Sequence, residues 1–197
     1  MGTTGRSVVP VFVYWVKDTK LGGSRNVAKN RLTIRHIVED DWKSIKAIWV
    51  DFRADAFSQY DKPHNTDDED IRERIAKWAA NSGREHLFFA VCLGDTVIGY
   101  ATFHIREDSY ELGYCFHSAY HGKGYAKESL TALFDYLATL GITKFTAGTA
   151  IQNIPSMSLL KSLGFQLIGT EDVSFYQDAQ GNDIVFEGGI FELNTAR

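Results

Sequence analysis

Between residues 120 and 126 the chain reads Tyr120-His121-Gly122-Lys123-Gly124-Tyr125-Ala126, two glycines around a lysine ahead of a helical stretch. Glycine lets the backbone approach a ligand closely, and the helix that follows turns unsatisfied N–H groups and a positive dipole end toward the same point. That combination binds phosphate. It is neither of the common nucleotide loops. Gly-Lys is not followed by Ser or Thr at the Walker spacing, and Lys127 stands where the dinucleotide pattern has its third glycine. Further on, Asn153-Ile154-Pro155-Ser156 opens a short amphipathic helix carrying Leu159, Leu160 and Leu163, which closes on Gly164-Phe165. Each stretch has a plain reading: a glycine turn before a helix, and a pair of capping residues.

In this order and at this separation the two stretches resemble the GNAT superfamily of N-acetyltransferases. There the pattern [Q/R]-x-x-G-x-[G/A] holds the pyrophosphate of coenzyme A. Residues 121–126 match it, with Gly124 and Ala126 at the small positions and His121 where Gln or Arg is usual. The superfamily's N-x-x-[A/S] helix ending in Gly-Phe is matched by Asn153, Ser156, Gly164 and Phe165. The resemblance covers residues 31–197 and leaves residues 1–30 outside. Glu111-Leu112-Gly113-Tyr114, Ser156, Leu160 in place of a frequent Tyr, and Asn182-Asp183 look most like the Rim-type branch, which acetylates protein N-termini, those of ribosomal proteins especially.

The resemblance implies direct transfer of an acetyl group from acetyl-CoA to a primary amine, on a protein N-terminus or a small molecule. It implies a cofactor site made by Cys115, Phe116, His121, Gly122, Lys123, Gly124, Tyr125, Ala126, Asn153 and Ser156. A non-catalytic acyl-CoA-binding regulatory module would keep the loop and Asn153 but have no use for Glu111 or Ser156.

The chemistry sets its own requirements. An alkyl amine is mostly protonated at neutral pH and must lose a proton before it attacks a thioester. Glu111, on a strand leading to the loop, is the candidate base, because a part-buried carboxylate has a raised pKa; its alternatives are a solvent-facing residue or a partner for a nearby Arg. A backbone N–H at the end of the strand over 114–117 could meet the charge that develops on the carbonyl oxygen. By the resemblance, Ser156 donates a proton to the leaving thiolate or orients a water, and Asn153 holds the pantetheine arm. Direct transfer needs no enzyme nucleophile, so Cys115 is read as a small strand residue, and His117 and His121 as locally bonded.

The elements that must position these groups follow from periodicity. Alternation over 31–37 predicts a half-buried strand, and Asp40 or Asp41 caps a helix with Trp42, Ile45, Ile48, Trp49 and Phe52 on one side. Thr66 with Glu69 forms a capping box for a second helix through Ile71, Ile75 and Trp78. A meander follows over 87–93, 96–105 and 110–117, then a helix over 124–140 stopped by Gly141. A strand over 144–149, a helix from Pro155, and strands over 165–170, 174–177 and 183–193 complete the chain. This is an α+β order: a mixed, mostly antiparallel central sheet with helices on both faces.

Composition narrows the classes. The 197 residues suit one ordinary domain, and a net charge of -4 with scattered basic residues argues against a nucleic-acid partner. Cys92 and Cys115 are too few for a four-ligand zinc site, and two buried free thiols suit a reducing compartment. The apolar run over 8–16 is too short to cross a membrane and lacks the marks of a secretory signal. A cytoplasmic enzyme is expected, with acetyl-CoA as co-substrate, no metal, no nucleic acid and no membrane. Residues 1–30 are a loose arm, a strand lent to a partner, or poorly ordered; the arm and the C-terminal strand pair could both serve a homodimer.

Overall fold

The computed structural model describes residues 14–16, 31–83 and 85–196. A short strand β1 (Tyr14–Val16) runs antiparallel to β2 (Leu32–His36), so this part of the N-terminal arm adds to the edge of the chain's own sheet. The rest of the arm lies outside the described residues. The expected meander is present as β3 (His86–Leu93), β4 (Thr96–Arg106) and β5 (Ser109–Phe116), each antiparallel to the one before. Then come β6 (Lys144–Ala150), β7 (Gln166–Gln177) and β8 (Asp183–Asn194). The eight strands form one sheet in the order β1-β2-β3-β4-β5-β6-β8-β7.

One seam differs from the rest. β5 and β6 are parallel and pair only at Tyr110 with Phe145 and Glu111 with Thr146. Beyond those two pairs the strands separate, and among the described residues the end of β5 has no strand partner on that side.

Helices cover both faces. Helix α1 (Trp42–Arg53) and helix α2 (Asp68–Asn81) pack on one, where Ile45, Ile48, Trp49, Ile71 and Ile75 are buried against Phe88, Ala90 and Tyr100. The Trp49 indole N–H donates to the Tyr100 hydroxyl at 2.8 Å, which satisfies both polar atoms inside that core. Helix α3 (Tyr125–Thr139) and helix α4 (Ile154–Ser162) pack on the other face. Leu130, Leu133, Phe134 and Leu137 of α3 meet Phe89, Phe103 and Leu112 from one side of the seam and Phe145, Ala147 and Phe191 from the other. α3 therefore holds the two halves of the sheet together. Burial of one such leucine is worth about 2–5 kcal/mol against alanine.

Three local expectations are corrected. The cap of α2 is Asp67, whose carboxylate accepts from the N–H groups of Glu69 and Asp70, while the Thr66 hydroxyl accepts from Arg53. Asp41 stands at the N-cap of α1 without bonding its backbone; its carboxylate turns back to take both guanidinium nitrogens of Arg35 at 2.6 Å. The segment read as two strands, 165–170 and 174–177, is the single strand β7, which carries two register shifts against β8 instead of a break.

Candidate active site

The loop expected to hold phosphate lies between the end of β5 and α3. Gly122 and Gly124 both have left-handed backbone, φ +71° and +79°, which is costly for residues with a side chain. Gly124 is the N-cap of α3 and has no side chain to occupy the first turn, so the free N–H groups there point outward. The other loop residues secure its shape. His121 Nε2 donates to the Phe116 carbonyl at 2.7 Å, and the Lys123 ammonium donates to the Ala119 carbonyl at 2.9 Å. His121, at the position where the motif usually has Gln or Arg, is thus spent on closing the loop.

Phe116 is buried in a cluster with Leu32, Val91 and Ile98, packed against Tyr114, Tyr120, Tyr125 and Ala126. This cluster is the floor beneath the loop. Cys115, the neighbouring residue, points to the opposite face and packs with the α1 and α2 core. Only its backbone is left to face the side of the sheet that carries the loop. Burial, with the carboxylates of Asp61, Asp51 and Asp55 behind it, pushes its thiol up to about 12. At neutral pH it is a thiol and a poor nucleophile.

Across the open seam sits the start of α4. Asn153 Oδ1 accepts from the Ser156 N–H at 3.1 Å and caps the helix, with Pro155 in its first turn. The Ser156 hydroxyl lies 2.8 Å from the Tyr114 hydroxyl. Tyr114 leaves β5 on the face that carries Leu112 and Phe116, so the pair spans from β5 to α4 beside the gap that β6 leaves. Burial pushes the Tyr114 phenol up to about 12, partly offset by the bond to Ser156, so it stays protonated at neutral pH.

Glu111 lies on β5, the strand that leads to the loop. It lies at the closed end of the seam, three residues before Tyr114 and on the opposite face, roughly 10 Å away along the strand. Its side chain is 44% exposed and its Oε2 takes the Arg106 guanidinium at 2.7 Å. Of the readings open to Glu111, the structure shows the contact with a nearby Arg.

Sequence order gives no sign of two further contacts. Arg31, at the start of the described domain, places its Nη2 3.3 Å from the Lys123 carbonyl, pairs with Glu128 of α3, and stacks over the Tyr125 ring at 4.5 Å. Asp51 of α1 accepts from both the N–H and the hydroxyl of Ser118 at 2.7 Å, tying the start of the loop to the opposite layer. These bonds hold the Asp51 carboxyl below its usual range against the opposing cost of its desolvation.

Residues 31–166 match the acetyltransferase (GNAT) domain family. The chain belongs to the GNAT acetyltransferase family. The mixed α+β architecture is thus that of a GNAT acetyltransferase. An uncharacterized N-acetyltransferase, YnaD of Bacillus subtilis, is 27% identical over 150 residues, 73% of this chain and 84% of the relative. Among solved structures, the Salmonella typhimurium acetyltransferase that modifies the N-terminal serine of ribosomal protein L7/L12 superposes with a TM-score of 0.74 at 17% identity, over 85% of this chain and 97% of that one. The yncA structure of the same organism, which holds acetyl-CoA, superposes with a TM-score of 0.65 at 24% identity, over 85% and 96% of the two chains. These likenesses establish the fold of this GNAT chain. Among the described residues no group of three His, Cys, Asp or Glu is placed to hold a metal ion, and no helix is long and apolar enough to cross a membrane.

Proposed function

We propose that this acetyltransferase moves an acetyl group from acetyl-CoA directly to a primary amine, on a protein N-terminus or a small molecule. The observation that carries the reading is the Tyr114–Ser156 hydroxyl pair at the parted strands, on the same face of the sheet as the glycine loop. Gly122, Lys123 and Gly124, with Tyr125 and Ala126 of the first turn of α3, would hold the pyrophosphate. The backbone of residues 115 and 116, together with Asn153, would hold the pantetheine arm. The cofactor supplies an activated acyl thioester.

The chain's own residues then have defined tasks. With Tyr114 as donor to Ser156, the serine hydroxyl keeps its own proton to hydrogen-bond the departing thiolate. An alcohol is far less acidic than a thiol of pKa about 8.5, so it steadies that anion or orients the water that carries the amine's lost proton to it. The high pKa of Tyr114 keeps that arrangement in place across the neutral range. Backbone N–H groups at the end of β5 meet the charge that develops on the carbonyl oxygen. Asp51, Asp55 and Asp61, which face the Cys115 side, give the acceptor entrance a negative potential that favours a cationic amine. Proton removal from that amine is assigned to solvent, because Glu111 is held by Arg106 and lies beyond hydrogen-bond reach of the pair. The free thiols Cys92 and Cys115 fit a cytoplasmic, reducing setting.

The test is acetyl-CoA binding by calorimetry, wild type beside Gly124→Glu, which adds bulk and negative charge where the pyrophosphate would lie. A screen of peptide N-termini and small amines then reads thiol release. Wild-type protein that binds no acyl-CoA would end this reading. Binding without thiol release from any amine would favour a regulatory module.

A further inference from the structure

We propose that Arg31 is a cofactor-binding residue that gives the diphosphate of acyl-CoA the cation which His121 does not. The inference rests on the acetyl-CoA reading above. In the motif the first position carries Gln or Arg, side chains that donate hydrogen bonds. Here that position is His121, and its ring is bonded inward to Phe116. The loop backbone accepts a guanidinium from elsewhere: Arg31 enters from the start of β2 and lies against the Lys123 carbonyl and the Tyr125 ring. A Cβ built on Gly124 would sit 3.9 Å from Arg31 Nη2, so the guanidinium borders the ground where a phosphate would meet the loop. The Arg31 side chain is 37% exposed, with its Nε buried.

Glu128 explains why the arrangement needs Arg31 in particular. It lies in the first turn of α3, with its side chain only 20% exposed and its Oε1 buried without a hydrogen bond among the described residues. A carboxylate in that turn repels a diphosphate at the same helix end. Arg31 cancels that charge, and its planar fork presents several N–H donors, so it can bond Glu128 and a phosphate oxygen together. The stack on Tyr125 fixes the plane of the fork. Arg31 thus acts twice, as shield and as donor.

The experiment uses the full chain and splits the cofactor into halves. Binding of acetyl-CoA and of adenosine 3′-phosphate 5′-diphosphate is measured by calorimetry, and binding of S-acetylpantetheine by NMR titration, with thermal melts to confirm folding. Arg31→Met keeps the apolar stem and removes the charge. It is expected to weaken acetyl-CoA and the diphosphate half by about 10- to 100-fold, and S-acetylpantetheine by less than about twofold. Arg31→Lys recovers part of the loss. Glu128→Gln tightens the diphosphate half severalfold, and adding it to Arg31→Met restores part of what that variant lost. Unchanged diphosphate binding in Arg31→Met overturns the inference and leaves the acetyl-CoA reading standing. Equal loss of both halves also overturns it, since that marks a residue that only pins the loop. A wild type that binds acetyl-CoA through neither half overturns the reading and the inference together.

Discussion

Gly124 and Gly141 permit a matched test of the phosphate loop. Both have left-handed backbone, φ +79° and +81°. A Cβ at Gly141 would meet nothing within 4 Å, and one at Gly124 only the Arg31 guanidinium at 3.9 Å, an ordinary contact. Alanine at either site is therefore penalised by backbone conformation and not by a clash, at about 1–2 kcal/mol. In a chain of this size that lowers Tm by roughly 2–8 °C in both variants. The cofactor separates them. A methyl group at residue 124 stands on the ligand side of the loop and costs at least one charge-assisted hydrogen bond, about 1.5–3 kcal/mol, so Kd for acetyl-CoA rises roughly 10- to 150-fold. At residue 141, past the far end of α3, the same strain leaves Kd unchanged. Differential scanning calorimetry gives the first pair of numbers and titration calorimetry the second. If Gly124→Ala binds acetyl-CoA within twofold of Gly141→Ala, the loop is a structural turn and the placement of the pyrophosphate is wrong.

Other outcomes follow from the same site. Tyr114→Phe removes the donor to Ser156 and is expected to lower kcat about 10-fold or more with little change in the KM for acetyl-CoA; an unchanged kcat removes the tyrosine from the mechanism. Because the folded chain raises the Tyr114 pKa to about 12, its contribution to stability is complete below pH 10 and is lost as pH rises toward 12. Urea midpoints between pH 9 and 11.5 should therefore fall less steeply in Tyr114→Phe than in wild type. Cys115, with its thiol near pKa 12, should resist iodoacetamide at pH 8 in the native chain and react once urea unfolds it, and rapid native alkylation would contradict the burial argument. Asp41→Ala strips a nearly buried carboxylate from Arg35 and the Val38 N–H, with an expected loss of about 3–5 kcal/mol by urea unfolding. Glu111→Gln is expected to leave kcat within about threefold; a fall of a hundredfold would return the base role to Glu111.

Local pattern made much of this protein readable. The helical stripe of Leu130, Leu133 and Leu137 and the alternation through β2 were visible because one face of each element is buried. The loop and the Asn153–Ser156 turn were visible because both are short-range devices. β7 was misread because it is the outermost strand on its side of the sheet and largely exposed, so Glu171 and Asp172 in its middle carry no burial signal and look like a break. The cap moved from Thr66 to Asp67 because adjacent residues both suit it, and only the neighbouring Arg53 decides that the threonine is engaged elsewhere. The contacts least legible were those between distant positions: Arg31 with Glu128, and Tyr114 with Ser156. For Tyr114 a signal existed, since it shares strand parity with Leu112 and Phe116 and so had to face the loop side. The same parity puts Glu111 on the opposite face.

The seam between β5 and β6 also divides the molecule mechanically. Only two residue pairs link the two leaves of the sheet by hydrogen bonds, and the rest of their union is side-chain packing through α3. Hydrogen-bonded strands resist opening together, whereas a packed interface can breathe. Amides on the free side of β5, from residues 113 to 116, should therefore exchange with solvent faster than those of β3 and β4, although they lie deep in the chain. A ligand seated between the leaves would act as a clasp. Its arrival should register as slower exchange in those amides and in the first turn of α4, while the outer strands on both sides keep their rates. By the same logic, shortening a leucine of α3 should loosen the grip on the cofactor from a distance, with every residue that touches it left in place.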